Sequence, residues 1–168
     1  MTGAYIGLGA NLGDRLANIN GAVALLARRM IIIKASSVYE TEPEDYHEQP
    51  DFLNCVVLAG FEGGAAALLT ILKDVEKQLG RADSFKAGPR VIDADLLFYG
   101  QEIINQAGLV VPHPRIQQRP FVLVPLAEIA DGFSHPVLHK TISQLLAESD
   151  SQSRVVKAGE IGFNLTGE

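Results

Sequence analysis

The segment Arg90-Val91-Ile92-Asp93-Ala94-Asp95-Leu96-Leu97-Phe98 restricts the fold more than any other stretch of the chain. β-Formers dominate it, and side chains alternate faces along a strand. Ile92, Ala94, Leu96 and Phe98 are therefore expected to form one apolar stripe, while Asp93 and Asp95 share the opposite face. Such a strand belongs in a sheet with one packed face and one face at least partly open, a common arrangement of antiparallel sheets. Two carboxylates at i and i+2 lie roughly 7 Å apart at Cβ, close enough to hold one or two hard cations between them. Without a cation, burying them side by side is costly. The plain alternative is a solvated strand face. Asp is a poor strand residue, however, and two of them among β-formers, with Arg90 ahead on the turn Lys86-Ala87-Gly88-Pro89, favour the cation site.

The rest of the chain supplies partners for that strand. Ala4 to Gly9 reads as a strand, and Leu16, Ile19, Val23, Leu26 and Met30 then follow at helical spacing between Asp14 and Met30. Ile31 to Thr41 is β-branched, Glu42 to Pro50 is an acidic loop with two prolines, and Phe52 to Phe61 is again strand-like. Leu68, Leu72, Val75 and Leu79 mark a second helix that Gly80 can end. The order β-α-β-β-α-β matches the ferredoxin-like plan of the α+β class, with helices on one face of an antiparallel sheet and the other face partly open. Two further helices are expected, over Phe121 to Ile129 and near Thr141 to Glu148. The tail from Ser149 to Glu168 is polar and is expected to fray. With 168 residues, a single domain over 1–168 is the expectation, with 150–168 as its flexible end.

A formal charge of −6 gives no footprint for nucleic acid or an anionic membrane, so a polyanionic substrate needs locally placed cations. Such cations occur in Val111-Pro112-His113-Pro114-Arg115-Ile116-Gln117-Gln118-Arg119-Pro120-Phe121, where prolines stiffen a segment carrying a His, two Arg and a Phe. Its alternative is an Arg-rich surface loop. Phe52 and Asn54 share a strand face and offer a ring beside an amide, a pair suited to a flat heterocycle. Cys55 sits in an apolar run and reads as a small buried hydrophobe. His135 and His139 lack the context of a zinc pair, and Gly7, Gly9 and Gly13 fit no dinucleotide fingerprint. Asn164-Leu165-Thr166 is a formal glycosylation sequon. The first residues lack a basic leader and no segment approaches membrane-spanning length, so a cytoplasmic protein is expected.

Together, Tyr5 to Asp14, Gln49-Pro50-Asp51-Phe52-Leu53-Asn54, Gly88 to Gly100 and Val111-Pro112-His113 resemble the 6-hydroxymethyl-7,8-dihydropterin pyrophosphokinase family. The resemblance runs from about Tyr5 to Ala130. It implies a ferredoxin-like fold and transfer of pyrophosphate from ATP to the pterin hydroxymethyl group, with release of AMP, a step of folate biosynthesis. It implies that Asp93 and Asp95 bind two Mg²⁺ ions and that Arg81 and Arg90 contact phosphates. The resemblance also implies that Glu76, Leu96, His113 and Arg119 belong to the nucleotide site. Phe52 and Phe121 would sandwich the pterin, with Asn54 and the backbone around Thr41 to Pro43 reading its polar edge. Between Arg81 and Gly88 the chain departs from the common pattern, with Phe85 and Lys86 as candidates for the usual aromatic and basic lid residues; Lys73 departs on the second helix. The expected partners are small molecules, ATP and the hydroxymethyl-dihydropterin, with no nucleic acid and no membrane, and the chain is expected to act as a monomer. The competing readings are a ferredoxin-like ligand-binding or regulatory module without turnover, against which the paired Asp93 and Asp95 speak, and a structural interaction domain, which leaves the concentration of His113, Arg119 and Phe121 unexplained.

Overall fold

The computed structural model describes residues 1–82, 85, 87–149, 152–163 and 165. Strand β1 (Thr2–Ala10) leads through Asp14 into helix α1 (Arg15–Leu26); the Asp14 carboxylate accepts from Ala17 N–H at 3.1 Å and caps the helix. Strands β2 (Ile31–Ala35) and β3 (Ser37–Thr41) follow, then β4 (Phe52–Phe61), helix α2 (Ala65–Gln78) and β5 (Asp93–Tyr99). The β-branched run read as one segment is split at Ser36, whose hydroxyl accepts from Val56 N–H at 2.9 Å, so β2 and β3 pair with successive parts of the long β4. Gly80 follows α2 with φ +88°, a left-handed stop that glycine adopts without penalty.

The main sheet has the order β5-β1-β4-β3-β8, with β2 also on β4, and each pairing is antiparallel. Read through the β-α-β-β-α-β core, this is the ferredoxin-like arrangement expected from the sequence. On one face, Ile19, Val23 and Leu26 of α1 and Leu68, Leu72 and Val75 of α2 bury the inward side chains of the strands, including Ile6, Leu8 and Leu96. Each such side chain contributes on the order of 1.5–3 kcal/mol on burial. Cys55 lies in this core, and burial pushes its thiol up to about 12, so it is an inert packing group.

Helices α3 (Pro120–Ala130) and α4 (Ile142–Glu148) pack on part of the opposite face, where Leu123 and Leu126 meet Tyr5, Val56, Leu97 and Phe98. Here the structure corrects the expected stripe. Ile92, Ala94 and Leu96 point to the α1/α2 core, but Phe98 points the other way. The cause is a β-bulge: Ile6 pairs with Leu96 and Tyr5 with Phe98, leaving Leu97 as an extra residue, so Leu97 and Phe98 both serve the α3 side.

Two features were not expected. A small hairpin of β6 (Ile104–Gln106) and β7 (Leu109–Val111) follows β5, and it leads into a cis Val111–Pro112 peptide. The polar tail read as fraying instead contributes β8 (Val155–Glu160) to the sheet edge, paired with β3. The sequon residues Asn164 and Thr166 lie outside the described residues. Among the described residues no helix is long and apolar enough to cross a membrane.

Candidate active site

The part of the second face that α3 leaves uncovered forms a cavity of about 240 Å³, and the strand register explains its floor. Gly9 pairs with Asn54 on one side and with Asp93 on the other, and Gly7 pairs with Asp95. Tyr5, Gly7 and Gly9 share this face by alternation, so β1 presents no side chain between the two neighbouring strands near the site. A Cβ on Gly9 would lie 2.5 Å from Asn54 Oδ1, a contact that real Cβ atoms do not make. Glycine there lets the Asn54 amide lie across the sheet. Asn54 donates to Thr41 Oγ1 at 2.7 Å, both residues being buried, which leaves its carbonyl oxygen towards the cavity floor. Phe52, at the mouth of the same strand face, lines one side of the cavity and Phe121, from the first turn of α3, lines another. The alternation expected to place Phe52 and Asn54 together is observed.

Asp93 and Asp95 line the cavity from β5, as their spacing predicted. Asp93 receives Arg81 Nη1 at 2.9 Å and Arg90 Nη1 at 3.4 Å. Arg81 also pairs with Glu76, whose Oε2 accepts from Ala94 N–H at 3.1 Å and so ties α2 to the start of β5. Desolvation, and secondarily the Asp93 charge, raises the Glu76 carboxyl above its ordinary value against the pull of Arg81. Among the described residues Asp95 has no such cationic cap. Burial first and the neighbouring Asp93 charge second push its carboxyl up to about 7, with Arg119 opposing. Among the described residues no third His, Cys, Asp or Glu joins the pair as a cation cluster. Two desolvated carboxylates without a protein cage suit Mg²⁺, which binds through one or two carboxylates and takes its remaining oxygens from water and substrate phosphates.

The segment after β7 brings the cations. The His113 N–H donates to Leu97 O at 2.9 Å, which docks the segment on the bulge of β5. His113 Nδ1 accepts from Arg115 N–H at 3.2 Å, which assigns the imidazole proton to Nε2. Burial, then the charges of Arg119 and Arg115, hold this imidazole down to about 4, so it is neutral at physiological pH and presents an N–H donor. Arg119 lies over the Phe121 ring at 5.6 Å, and Arg90 over the Phe52 ring at 5.7 Å.

Several contributors were not foreseen. Asn11 is buried; it donates to Gln49 Oε1 at 2.8 Å and accepts from Arg90 N–H at 2.9 Å. Gln49 in turn donates to Ala87 O at 2.7 Å, linking the loop after β3 to the loop before β5. Glu44 and Asp45, from the loop after β3, line the cavity as well. The polar residues of that loop were legible, but their partners lie dozens of positions away and no local pattern reports them.

The family model for 7,8-dihydro-6-hydroxymethylpterin-pyrophosphokinase (HPPK) matches residues 5–131. The chain belongs to this family. It is 40% identical over 149 residues to the 2-amino-4-hydroxy-6-hydroxymethyldihydropteridine pyrophosphokinase of Aquifex aeolicus, covering 89% of this chain and 93% of that protein. To the protein of the same name from Bacillus subtilis it is 44% identical over 128 residues, covering 75% of this chain and 77% of that one. A folic acid synthesis protein of Dictyostelium discoideum is 39% identical over 141 residues, 84% of this chain but 22% of that protein, so the chain spans about a fifth of that relative. Among solved structures, an HPPK-DHPS in complex with substrates superposes with a TM-score of 0.74 at 16% identity, covering 88% of this chain and 43% of that one. The wild-type HPPK-DHPS of Plasmodium falciparum gives 0.71 at 17%, covering 88% and 44%. Both share the fold.

Against this HPPK framework, most of the expected residues gather at one place. Thr41, Phe52, Asn54, Arg90, Asp93, Asp95, His113, Arg119 and Phe121 line the cavity. Glu76, Arg81 and Lys73 line an adjoining cleft with Phe85, and Arg90 borders both spaces. Phe85 stands edge-on to Tyr46 of the other loop, ring centroids 5.0 Å apart. Pro43 lines a smaller neighbouring cleft behind Phe121 rather than the cavity itself. The Leu96 side chain is in the α1/α2 core and lines neither the cavity nor the cleft. Lys86 lies outside the described residues.

Proposed function

We propose that this chain transfers pyrophosphate from ATP to the hydroxymethyl group of 6-hydroxymethyl-7,8-dihydropterin, releasing AMP in a step of folate biosynthesis. The observation that carries the reading is one cavity in which an aromatic pair, a buried amide, two carboxylates and a rigid cationic segment face one another. Phe52 and Phe121 hold the flat pterin between them, and Asn54 and the Thr41 backbone meet its polar edge. His113, as an Nε2–H donor, and Arg119 bind the nucleotide phosphates from the stiff segment. Glu76 and the Leu96 backbone belong to the nucleotide side. Arg81 and Arg90, which now pair with Asp93, would move onto phosphate oxygens as charge shifts during transfer.

Asp93 and Asp95 would hold two Mg²⁺ ions, which when bound neutralise the triphosphate and hold it in line. In the transfer the pterin hydroxyl oxygen forms a bond to the β-phosphorus of ATP. The bond from that phosphorus to the α,β-bridging oxygen breaks, AMP departs with the oxygen, and the hydroxyl proton passes to solvent. The residues contribute position and electrostatics rather than covalent chemistry. The whole reading is of one domain over 1–168, acting as a cytoplasmic monomer on small molecules. Incubation with ATP, Mg²⁺ and the hydroxymethyl-dihydropterin should yield AMP and pterin diphosphate in equal amounts. Pterin and nucleotide binding without AMP would leave a ligand-binding module instead.

A further inference from the structure

The loop between β3 and β4 puts a carboxylate where an anionic ligand is expected. Glu44 Oε1 pairs with Arg115 Nη2, and its Oε2 lies 3.2 Å from Arg119 Nε. Asp45 adds a contact to Arg115 Nη2 at 3.7 Å. One carboxylate therefore bridges two guanidiniums on the rigid segment, as a phosphate would, because carboxylates and phosphates are recognised by the same forked donors. The fit is incomplete. Arg119 Nε is buried and, although Glu44 is near enough to pair with its charge, the angle makes no hydrogen bond, so among the described residues this N–H is left without an acceptor. A buried donor in that position favours any ligand that supplies an oxygen along its N–H direction.

The charge around the cavity points the same way. Among the described residues, Glu42, Glu44, Asp45, Asp93 and Asp95 face Arg90, Arg115 and Arg119, five acids against three cations, with His113 neutral. A triphosphate entering with the loop in place meets net negative charge. Removing Glu44 and Asp45 leaves three acids and three cations and uncovers two guanidiniums.

Resting on the nucleotide site assigned above, we propose that Glu44 is a resident stand-in for phosphate and that Arg115 is a further phosphate-binding residue, freed together with Arg119 when the nucleotide displaces the loop. The proposal makes nucleotide binding a competition between two anions, one tethered to the protein. Glu44 is 30% and Arg115 36% exposed at the side chain, so the exchange needs no opening of the core.

Calorimetric titration with the α,β-methylene analogue of ATP and Mg²⁺ tests this on wild type, Glu44→Gln, Arg115→Ala and the double variant. Removing the tethered competitor should tighten binding in Glu44→Gln by about three- to tenfold, the size expected for partly exposed ion pairs. Arg115→Ala should weaken binding by about threefold or more, and Glu44→Gln should gain less in that background. Pterin affinity should not change in Glu44→Gln. Unchanged or weaker nucleotide binding in Glu44→Gln would overturn the stand-in, and unchanged or tighter binding in Arg115→Ala would overturn the phosphate role of Arg115. Failure of wild type itself to bind the analogue would remove the nucleotide site and this inference with it, whereas binding that both substitutions leave untouched would remove this inference alone.

Discussion

The face of the sheet under α1 and α2 and the face under α3 use the same three strands for opposite ends. On the first, Ile6, Leu8, Cys55, Val57 and Leu96 are excluded from water and have no unpaired polar group to satisfy. On the second, the alternate positions of those strands carry Gly9, Asn54, Asp93 and Asp95 and meet a cavity. The closed face is stabilised by what it buries. The open face holds groups whose charges are compensated only locally, by Arg81 and Arg90 on Asp93 and by a raised pKa at Asp95. The difference teaches that stability and chemistry are separated here by side-chain parity along single strands, one residue apart.

The sharpest way to break that separation is Leu72→Ala on the closed face. Leu72 is fully buried, and its truncation should cost about 2–5 kcal/mol in urea unfolding. Activity per folded molecule should stay near that of wild type; a matching fall in turnover would mean the two faces are not independent. Next in size, Asp93→Asn and Asp95→Asn should each lower AMP production by roughly a hundred- to a thousandfold, about 2.7–4 kcal/mol, with the circular dichroism unchanged and part of the rate restored by added Mg²⁺. Near-normal rates would reduce the open face to a solvated surface. Phe52→Ala or Phe121→Ala should weaken pterin binding by about 1–3 kcal/mol, by analogy with base stacking, while leaving nucleotide binding largely intact in calorimetry.

The smallest expected effect concerns pH. The Asp95 carboxyl is raised from 3.8 to about 7, so between these values the folded protein keeps a proton that the unfolded chain has released. Metal-free stability must then fall as pH rises through that window and stay lower above it. Asp95→Asn should remove this loss, raising the metal-free thermal midpoint at pH 8 by a few degrees for about 1–2 kcal/mol, and Mg²⁺ should stabilise wild type more at pH 8 than at pH 5. A midpoint that is the same in wild type and Asp95→Asn at pH 8 would show that this carboxylate is not under strain.

What the sequence disclosed follows the same division. The closed face was legible because periodicity reports burial directly: β4 was read as Phe52 to Phe61 and is found there, and the second helix carries the expected Leu68, Leu72 and Val75 inward. The Asp93 and Asp95 pair was legible because parity is local. Phe98 was misplaced because a bulge interrupts parity without a signal of its own. The strand Val155–Glu160 was hidden because four of its six residues are exposed, and edge pairing with β3 supplies what apolar contrast does not. Glu44 looked like one more acid in an acidic loop. Its meaning depends on Arg115, 71 positions away, and on a docking geometry that no window of sequence contains.

The bulge in β5 also gives the strand a tolerance that strands generally lack. Removing one residue from a regular strand exchanges its two sides, so that core groups face water and polar groups face the core. Leu97 is the supernumerary residue between Leu96 and Phe98, and excising it would leave Asp93 and Asp95 on their present side, Leu96 and Tyr99 on theirs, and Phe98 where it already is. The chain could therefore shorten by one residue at this point without trading hydrophobic interior for cavity floor. The loss would fall on the buried Leu97 side chain, which lies over Gly7 and packs in the core under α3, and on the carbonyl that receives the His113 N–H and anchors the cationic segment.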